Sequence, residues 1–179
     1  TVIIPSRHQP SQKQFLKNAI NSINSQSVIK DFDVEIIICI DKGQEVVDLD
    51  DSDVKDNIKV KFTESTKPGQ ASALNAGIVI ADADFVSFLE EDDKWNPNFL
   101  KYALNVISSS KAGFALSTQL EHDENNMIIR INDFPTPSSW FMTNETLSSV
   151  GEFNEDYKFH LDNEWLGRLS ESGIQRVHL

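Results

Sequence analysis

Cysteine is nearly absent from the chain: Cys39 is the single one in 179 residues. Neither an intrachain disulfide nor a structural zinc site can be built from it, and its place inside Glu35-Ile36-Ile37-Ile38-Cys39-Ile40 reads as a core thiol. Basic residues are scarce, with 16 Lys and Arg against 28 Asp and Glu and a net charge of −12. Contact with a phosphate backbone needs clustered cations, so a nucleic-acid-binding surface is excluded, although a nucleotide can still be held through a metal. Long apolar runs are missing too. None approaches the roughly 20 residues of a membrane span, and no signal-peptide pattern opens the chain, so this segment is expected to contain no span. Neither GxGxxG nor a Gly-rich run closing in Gly-Lys-Ser/Thr occurs, which leaves a dinucleotide fingerprint and a P-loop without support.

What is present centres on residues 84–95. Phe85, Val86, Phe88 and Leu89 read as a strand buried on both faces, because a central parallel strand is apolar almost continuously. The strand then runs into Glu90, Glu91, Asp92 and Asp93. In open α/β sheets ligands bind at the carboxyl ends of the strands, and four like charges packed there cost free energy unless a cation or a donor-rich ligand compensates. A divalent metal, Mg²⁺ or Mn²⁺, is the simplest compensation, and a solvated turn before the helix near Pro97 is the plainer alternative.

The rest of the chain supplies the frame. Residues 1–5 read as a short buried strand that Pro5 terminates, since proline cannot donate to a ladder. Ser11 and Gln14 form a capping-box pair, and Phe15, Ala19, Ile20 and Ile23 recur at helical spacing to about residue 25. Residues 33–40 are a second buried strand ending in Asp41, on the same sheet edge as the acids; Asp41 there is either a reader of a base or ribose or part of an Asp-x-Gly turn. Residues 45–57 are an acidic surface segment that lacks the Gly and Glu of an EF-hand, and residues 58–63 alternate like a half-buried strand. Gly69 and the small residues after it let a helix start close to a ligand, with its N-terminal amides favouring negative charge. Phe99, Leu100, Ala103, Leu104 and Ile107 describe a helical core face. Residues 113–120 and 127–131 read as strands of a hairpin, with His122 exposed at the turn. Residues 134–141 are an aperiodic, aromatic loop that either closes over a ligand or braces the core.

Lys67-Pro68-Gly69-Gln70-Ala71-Ser72-Ala73-Leu74-Asn75-Ala76-Gly77, followed by the acid-tipped strand with Trp95 and Pro97 just after, resembles the central block of the family 2 glycosyltransferases. The likeness continues in Val150-Gly151-Glu152-Phe153-Asn154-Glu155-Asp156 and in His160-Leu161-Asp162-Asn163-Glu164-Trp165-Leu166-Gly167-Arg168-Leu169, so it spans nearly the whole chain. Glu90 stands where the family usually has Asp, reaching about 1.5 Å further; Leu161 stands where it has Glu, and Glu152 where it has a second Gly.

The resemblance implies an α/β fold with a mostly parallel central sheet flanked by helices, of the GT-A nucleotide-sugar type. It also implies that residues 1–179 are one catalytic domain, expected to be part of a longer polypeptide. The implied activity is inverting transfer of a sugar from a nucleoside diphosphate sugar, a UDP-sugar foremost, to a hydroxyl on a glycan, lipid-linked or protein acceptor. Asp162 would be the base, with a helix cap as its structural alternative. Asp92 and Asp93 would hold the metal. Pro5, Ser6, Arg7, Asp41, Gly69, Asn75, Glu91 and Asp92 would bind the nucleotide sugar. Localisation is expected to be cytoplasmic, with any membrane association through parts outside this segment. Glu90 and Leu161 motivate a second reading, a non-catalytic domain that binds a nucleotide sugar or glycan. A nucleotidyltransferase fits less well, because no Gly- and basic-rich loop follows Ile4.

Overall fold

A computed structural model of the chain describes residues 1–7, 13–45, 49–50, 53–134 and 136–179. Fourteen regular elements follow in order: β1 (Val2–Ser6), α1 (Lys13–Asn24), β2 (Val34–Ile40), β3 (Ile58–Glu64), α2 (Gln70–Ile80), β4 (Phe85–Phe88), α3 (Phe99–Ser109), β5 (Phe114–Leu116), β6 (Gln119–His122), β7 (Ile128–Asn132), β8 (Trp140–Thr143), α4 (Asn144–Val150), α5 (Leu161–Glu171) and β9 (Arg176–His178). Seven strands form one sheet in the order β3-β2-β1-β4-β8-β5-β9, in which only β8 runs antiparallel to its neighbours. β6 and β7 make a separate two-stranded ribbon.

The burial follows from the strand sequences. β1 and β2 alternate their Ile and Val side chains between two cores. Val2, Ile4, Ile36 and Ile38 meet Leu16, Ala19 and Ile20 of α1 and Phe99, Leu100 and Ala103 of α3 on one face. Ile3, Ile37 and Cys39 meet Ala71, Ala73 and Leu74 of α2 on the other, where Trp140, Phe153 and Trp165 also lie. Helices therefore cover both faces, as a mostly parallel sheet requires. α2 lies so close to β1 and β2 that a Cβ on Gly77 would come within 2.6 Å of both Cys39 Sγ and Ile3 Cγ2. That approach is what the small-residue run makes possible.

Several expectations are corrected. Pro5 lies inside β1, paired with Cys39. The odd residues of β1 turn their backbone groups toward β4, since Thr1 O and Ile3 O accept from Ser87 N and Leu89 N. Pro5 faces that same side beyond the last β4 pair, so its missing N–H costs no ladder bond. Residues 113–120 are not one strand: the chain leaves the main sheet after Leu116 and re-pairs only from Gln119. Phe15 is 46% exposed, and Leu16 takes the core place beside Ile20 and Ile23. Residues 137–141 brace the core, with Trp140 fully buried in β8. Ser11 of the expected capping box, Asp48 and Asp51 of the acidic segment, and Pro135 lie outside the described residues. In the rest of the acidic segment, Lys17 holds Asp50 and Asp53 at 3.0 and 2.9 Å. Among the described residues no helix is long and apolar enough to cross a membrane.

Candidate active site

The sheet order reverses at β1: the chain passes from β1 outward to β2 and β3, then returns to pair β4 on the other side. Such a switch point leaves a crevice at the carboxyl ends of the two strands. A cavity of about 200 Å³ opens there, lined by Pro5, Ser6 and Arg7 after β1, Asp41 after β2, Glu90, Glu91 and Asp92 after β4, and Phe15, Gln70 and Ala73 from the helices.

Glu91 joins the two strand ends. It accepts from Ser6 Oγ at 2.7 Å and from the Arg7 backbone N–H at 3.3 Å, so the loop after β1 is set by the acid after β4. Asp41 does the same for α2. Its Oδ1 accepts from Gly69 N at 2.8 Å and Lys42 N at 3.0 Å, with Ser65 Oγ, which donates to Lys67 O at 2.8 Å, 3.4 Å away, while Oδ2 receives no hydrogen bond among the described residues. Gly69 has φ 128°, a conformation that favours glycine, and it turns its N–H toward Asp41 at the start of α2.

Glu90, Asp92 and Asp93 each place a carboxylate oxygen within 4.8 Å of the others. Glu90 accepts from Gln70 Nε2, and its own N–H donates to Ser138 Oγ at 3.0 Å. Burial, and then the charges of Asp93 and Asp92, push its carboxyl up to about 7, against the opposing hydrogen bond from Gln70. Burial also raises Asp93, with Ser138 opposing. Three hard oxygen donors, two of them reluctant to ionise alone, suit a divalent cation of the Mg²⁺ or Mn²⁺ type. Trp95 closes the acidic turn: its Nε1 donates to Ser138 O at 2.7 Å and its ring lies 4.8 Å from that of Phe99.

Asp162 is the second residue of α5, whose N-cap is His160 at φ 58°, and no side-chain cap bond forms. The capping alternative for Asp162 is therefore not realised. Its carboxylate has no hydrogen-bond partner among the described residues, yet it lies close enough to Glu90 for its charge to raise that group. Glu164, two residues on, is committed to Arg168 at 2.7 Å, and Arg168 also donates to Val150 O and Glu152 O. α5 is anchored by Trp165, stacked on Trp140 at 5.0 Å with its Nε1 donating to Gly151 O at 2.8 Å.

A family model for glycosyl transferase family 2 matches residues 1–166. The chain belongs to that family. Among curated proteins, the glycosyltransferase chain is 33% identical over 101 residues to an uncharacterized glycosyltransferase of Nostoc, covering 54% of this chain and 30% of that protein. It is 32% identical over 111 residues to an amylovoran biosynthesis glycosyltransferase, AmsB of Erwinia amylovora, covering 60% and 35%. The matches thus span about a third of those relatives' length. Two solved structures share the fold. The crystal structure of S. aureus TarS in complex with UDP has a TM-score of 0.77 at 16% identity, covering 99% of this chain and 56% of that one. The Pyrobaculum calidifontis mannosyltransferase PcManGT in complex with GDP-Man and Mn²⁺ has a TM-score of 0.67 at 16% identity, covering 99% and 53%. The mostly parallel sheet flanked by helices is the GT-A glycosyltransferase architecture.

Within the glycosyltransferase, the cavity brings together Pro5, Ser6, Arg7, Asp41, Glu91 and Asp92 among the residues singled out from sequence, with Gly69 bound to Asp41 at its edge. Asp93 does not line the cavity but belongs to the carboxylate cluster with Glu90 and Asp92. Asn75 does not line the cavity. It is buried, its Nδ2 donating to Phe153 O at 2.9 Å and its Oδ1 accepting from Phe153 N at 2.8 Å, so it ties α2 to the segment before α5. Sequence reasoning passed over Phe15, Gln70 and Ser138. The better i, i+4, i+7 spacing of Leu16, Ile20 and Ile23 would have freed Phe15 from the core; Gln70 and Ser138 carry no signal without the tertiary contacts they make to Glu90.

Proposed function

We propose that this domain catalyses inverting transfer of a sugar from a UDP-sugar to an acceptor hydroxyl, with Asp162 as general base. The observation that carries the reading is the meeting of Asp41, Glu90 and Asp92 at one strand-end cavity, with Asp93 in the same carboxylate cluster and Asp162, outside the cavity lining, near enough to Glu90 for its charge to raise that group.

The base preference follows from hydrogen-bond bookkeeping at Asp41. Two backbone N–H groups, of Gly69 and Lys42, already occupy Oδ1, so the other carboxylate oxygen is the one left to meet a base N–H. Uracil offers one ring N–H between two carbonyls, whereas guanine offers two adjacent donors, and cytosine and adenine present a ring nitrogen acceptor that a carboxylate repels. The exposed Phe15 ring on the same cavity gives a planar base an apolar face. Arg7, which lines the cavity, and the first amides of α2 would meet diphosphate charge.

In the reaction the acceptor oxygen forms a bond to the anomeric carbon as the bond from that carbon to the diphosphate oxygen breaks, and the hydroxyl proton passes to the Asp162 carboxylate. In-line attack from the face opposite the leaving group inverts the anomeric configuration. Glu90, Asp92 and Asp93 would hold the divalent metal, which supplies charge neutralisation for the departing diphosphate. Gln70 and Ser138 keep those carboxylates in place, and the Trp140–Trp165 stack fixes the helix that carries Asp162.

The test measures UDP release from UDP-glucose and UDP-N-acetylglucosamine with MnCl₂, beside calorimetric affinities for UDP, GDP and CDP. Asp162→Asn should cut turnover about 10²–10⁴-fold, the usual worth of a general base, while the UDP affinity stays within about twofold. UDP should bind at least ~10-fold tighter than GDP or CDP, about 1.4 kcal/mol for the single matched N–H. No affinity for any of these nucleotides would refute the reading. Binding of UDP with no donor ever consumed would make this a binding domain on the family's fold.

A further inference from the structure

The β6–β7 ribbon is amphipathic the wrong way round for a piece of one molecule. Register pairs Leu120 with Ile131 on one face, and Gln119 with Asn132 and Glu121 with Arg130 on the other. The polar face is turned toward the body at the base of the ribbon, where Gln119, Glu121 and Asn132 are half-buried and Gln119 accepts from Thr136 Oγ1 at 2.9 Å, while Arg130 further out is exposed. The apolar face looks outward, with Leu120 49%, Ile129 64% and Ile131 65% exposed, and Met127 at the tip 64% exposed. Among the described residues the two strands pair only with each other. A lone two-stranded ribbon is marginal in water unless a third layer covers it.

We propose that this outward face is the contact surface between two copies of the chain, related by a twofold axis through the ribbon. The exposed side chains offer roughly 500 Å² of contiguous apolar surface, at the upper end of what monomers leave in water. A twofold axis makes one patch its own partner, so the pair removes about 1,000 Å² in total, where specific interfaces begin. The tip carries Glu121, Asp123 and Glu124 on a chain of net charge −12, which disfavours an anionic lipid surface as the occupant.

Sedimentation equilibrium of the chain up to about 100 µM should show a monomer–dimer equilibrium with a micromolar dissociation constant. It should tighten as salt rises from about 20 to about 300 mM, because the apolar contact is insensitive while the repulsion between two −12 chains is screened. Ile129→Lys with Ile131→Lys should weaken the dimer ~100-fold or more by facing like charges across the axis. Both positions are exposed, so circular dichroism and melting temperature should stay unchanged. Because Cys39 is fully buried, Ile129→Cys adds the single accessible thiol, and mild oxidation should give a disulfide-linked dimer, whereas Gln119→Cys on the other face should not. A strictly monomeric wild type, or a dimer indifferent to the lysines, overturns the proposal. So does a monomer that floats with phosphatidylcholine vesicles and loses them on lysine substitution, since the face would then be a lipid surface.

Discussion

Replacing Glu90 by Gln gives a sharp test of the carboxylate cluster. In the folded protein burial and two neighbouring charges lift this carboxyl from its ordinary 4.5 to about 7. An acid whose folded value is raised keeps its full contribution to stability below about pH 4.5, where both states are protonated. It loses that contribution as pH climbs toward 7, because the unfolded chain ionises freely while the folded one holds the proton. At 1.36 kcal/mol per pH unit the loss is at most about 3 kcal/mol, complete just above neutrality. Gln keeps the shape and the contact to Gln70 but cannot ionise. Glu90→Gln should therefore match the wild type near pH 4.5 and exceed it at about pH 8 by up to about 3 kcal/mol, some 6–12 °C in melting temperature for a chain of this length. Calorimetric melts of both proteins from about pH 4.5 to about pH 8 measure it, and titrating groups that do not interact with Glu90 cancel in the difference. A gain as large at the acid end as at the alkaline end would show packing rather than charge. No gain at either end would mean the three carboxylates do not crowd one another.

Two further outcomes follow from contacts already described. Asp92→Asn with Asp93→Asn should abolish any increase in UDP affinity that MnCl₂ produces in calorimetry, leaving the metal-free affinity within about threefold because Asp41 and Phe15 are untouched; an unchanged metal dependence would reduce the acids to a turn. Gly77→Ala should destabilise the protein by about 1–3 kcal/mol in urea titration, since its Cβ would press on Cys39 Sγ and Ile3 Cγ2 and force α2 off the sheet. A neutral result would mean α2 can shift freely against β1.

The strands and helices were legible wherever burial alone decides the pattern. Ile36-Ile37-Ile38-Cys39-Ile40 can only be a central strand, and the run from Phe99 to Ile107 has a single apolar stripe, so both elements fall close to where spacing puts them. Legibility failed where tertiary context outweighs the local rule. Pro5 stays in β1 because its neighbour on that side has already ended, and nothing in residues 1–5 reports that. The break at Ser117 and Thr118 is invisible in a sequence that alternates well enough for one strand. For the candidate site, the strand-end positions of Asp41 and of the four acids could be read because a buried strand that stops in a charge announces its own end. The work of Asn75 could not, since Phe153 lies 78 residues away in sequence. The same holds for the outward ribbon face, as alternation fixes which residues share a face but not which face meets water.

The central place of β1 has a consequence for how the protein comes into being. One flank of β1 is covered by β2, some 30 residues later, but the other waits for β4, where Ser87 and Phe88 pair with Val2 and Ile3. On a ribosome moving at 5–20 residues per second, that is roughly 4–17 s during which the newborn chain carries an open, fully apolar strand edge. Ser6 and Glu91 meet only after that interval, and Asp162 arrives later still. Nucleotide can find no finished site on a nascent chain, and the contacts that complete it are among the most distant in the sequence, which places this domain among slow folders with a long exposure to misassociation during synthesis.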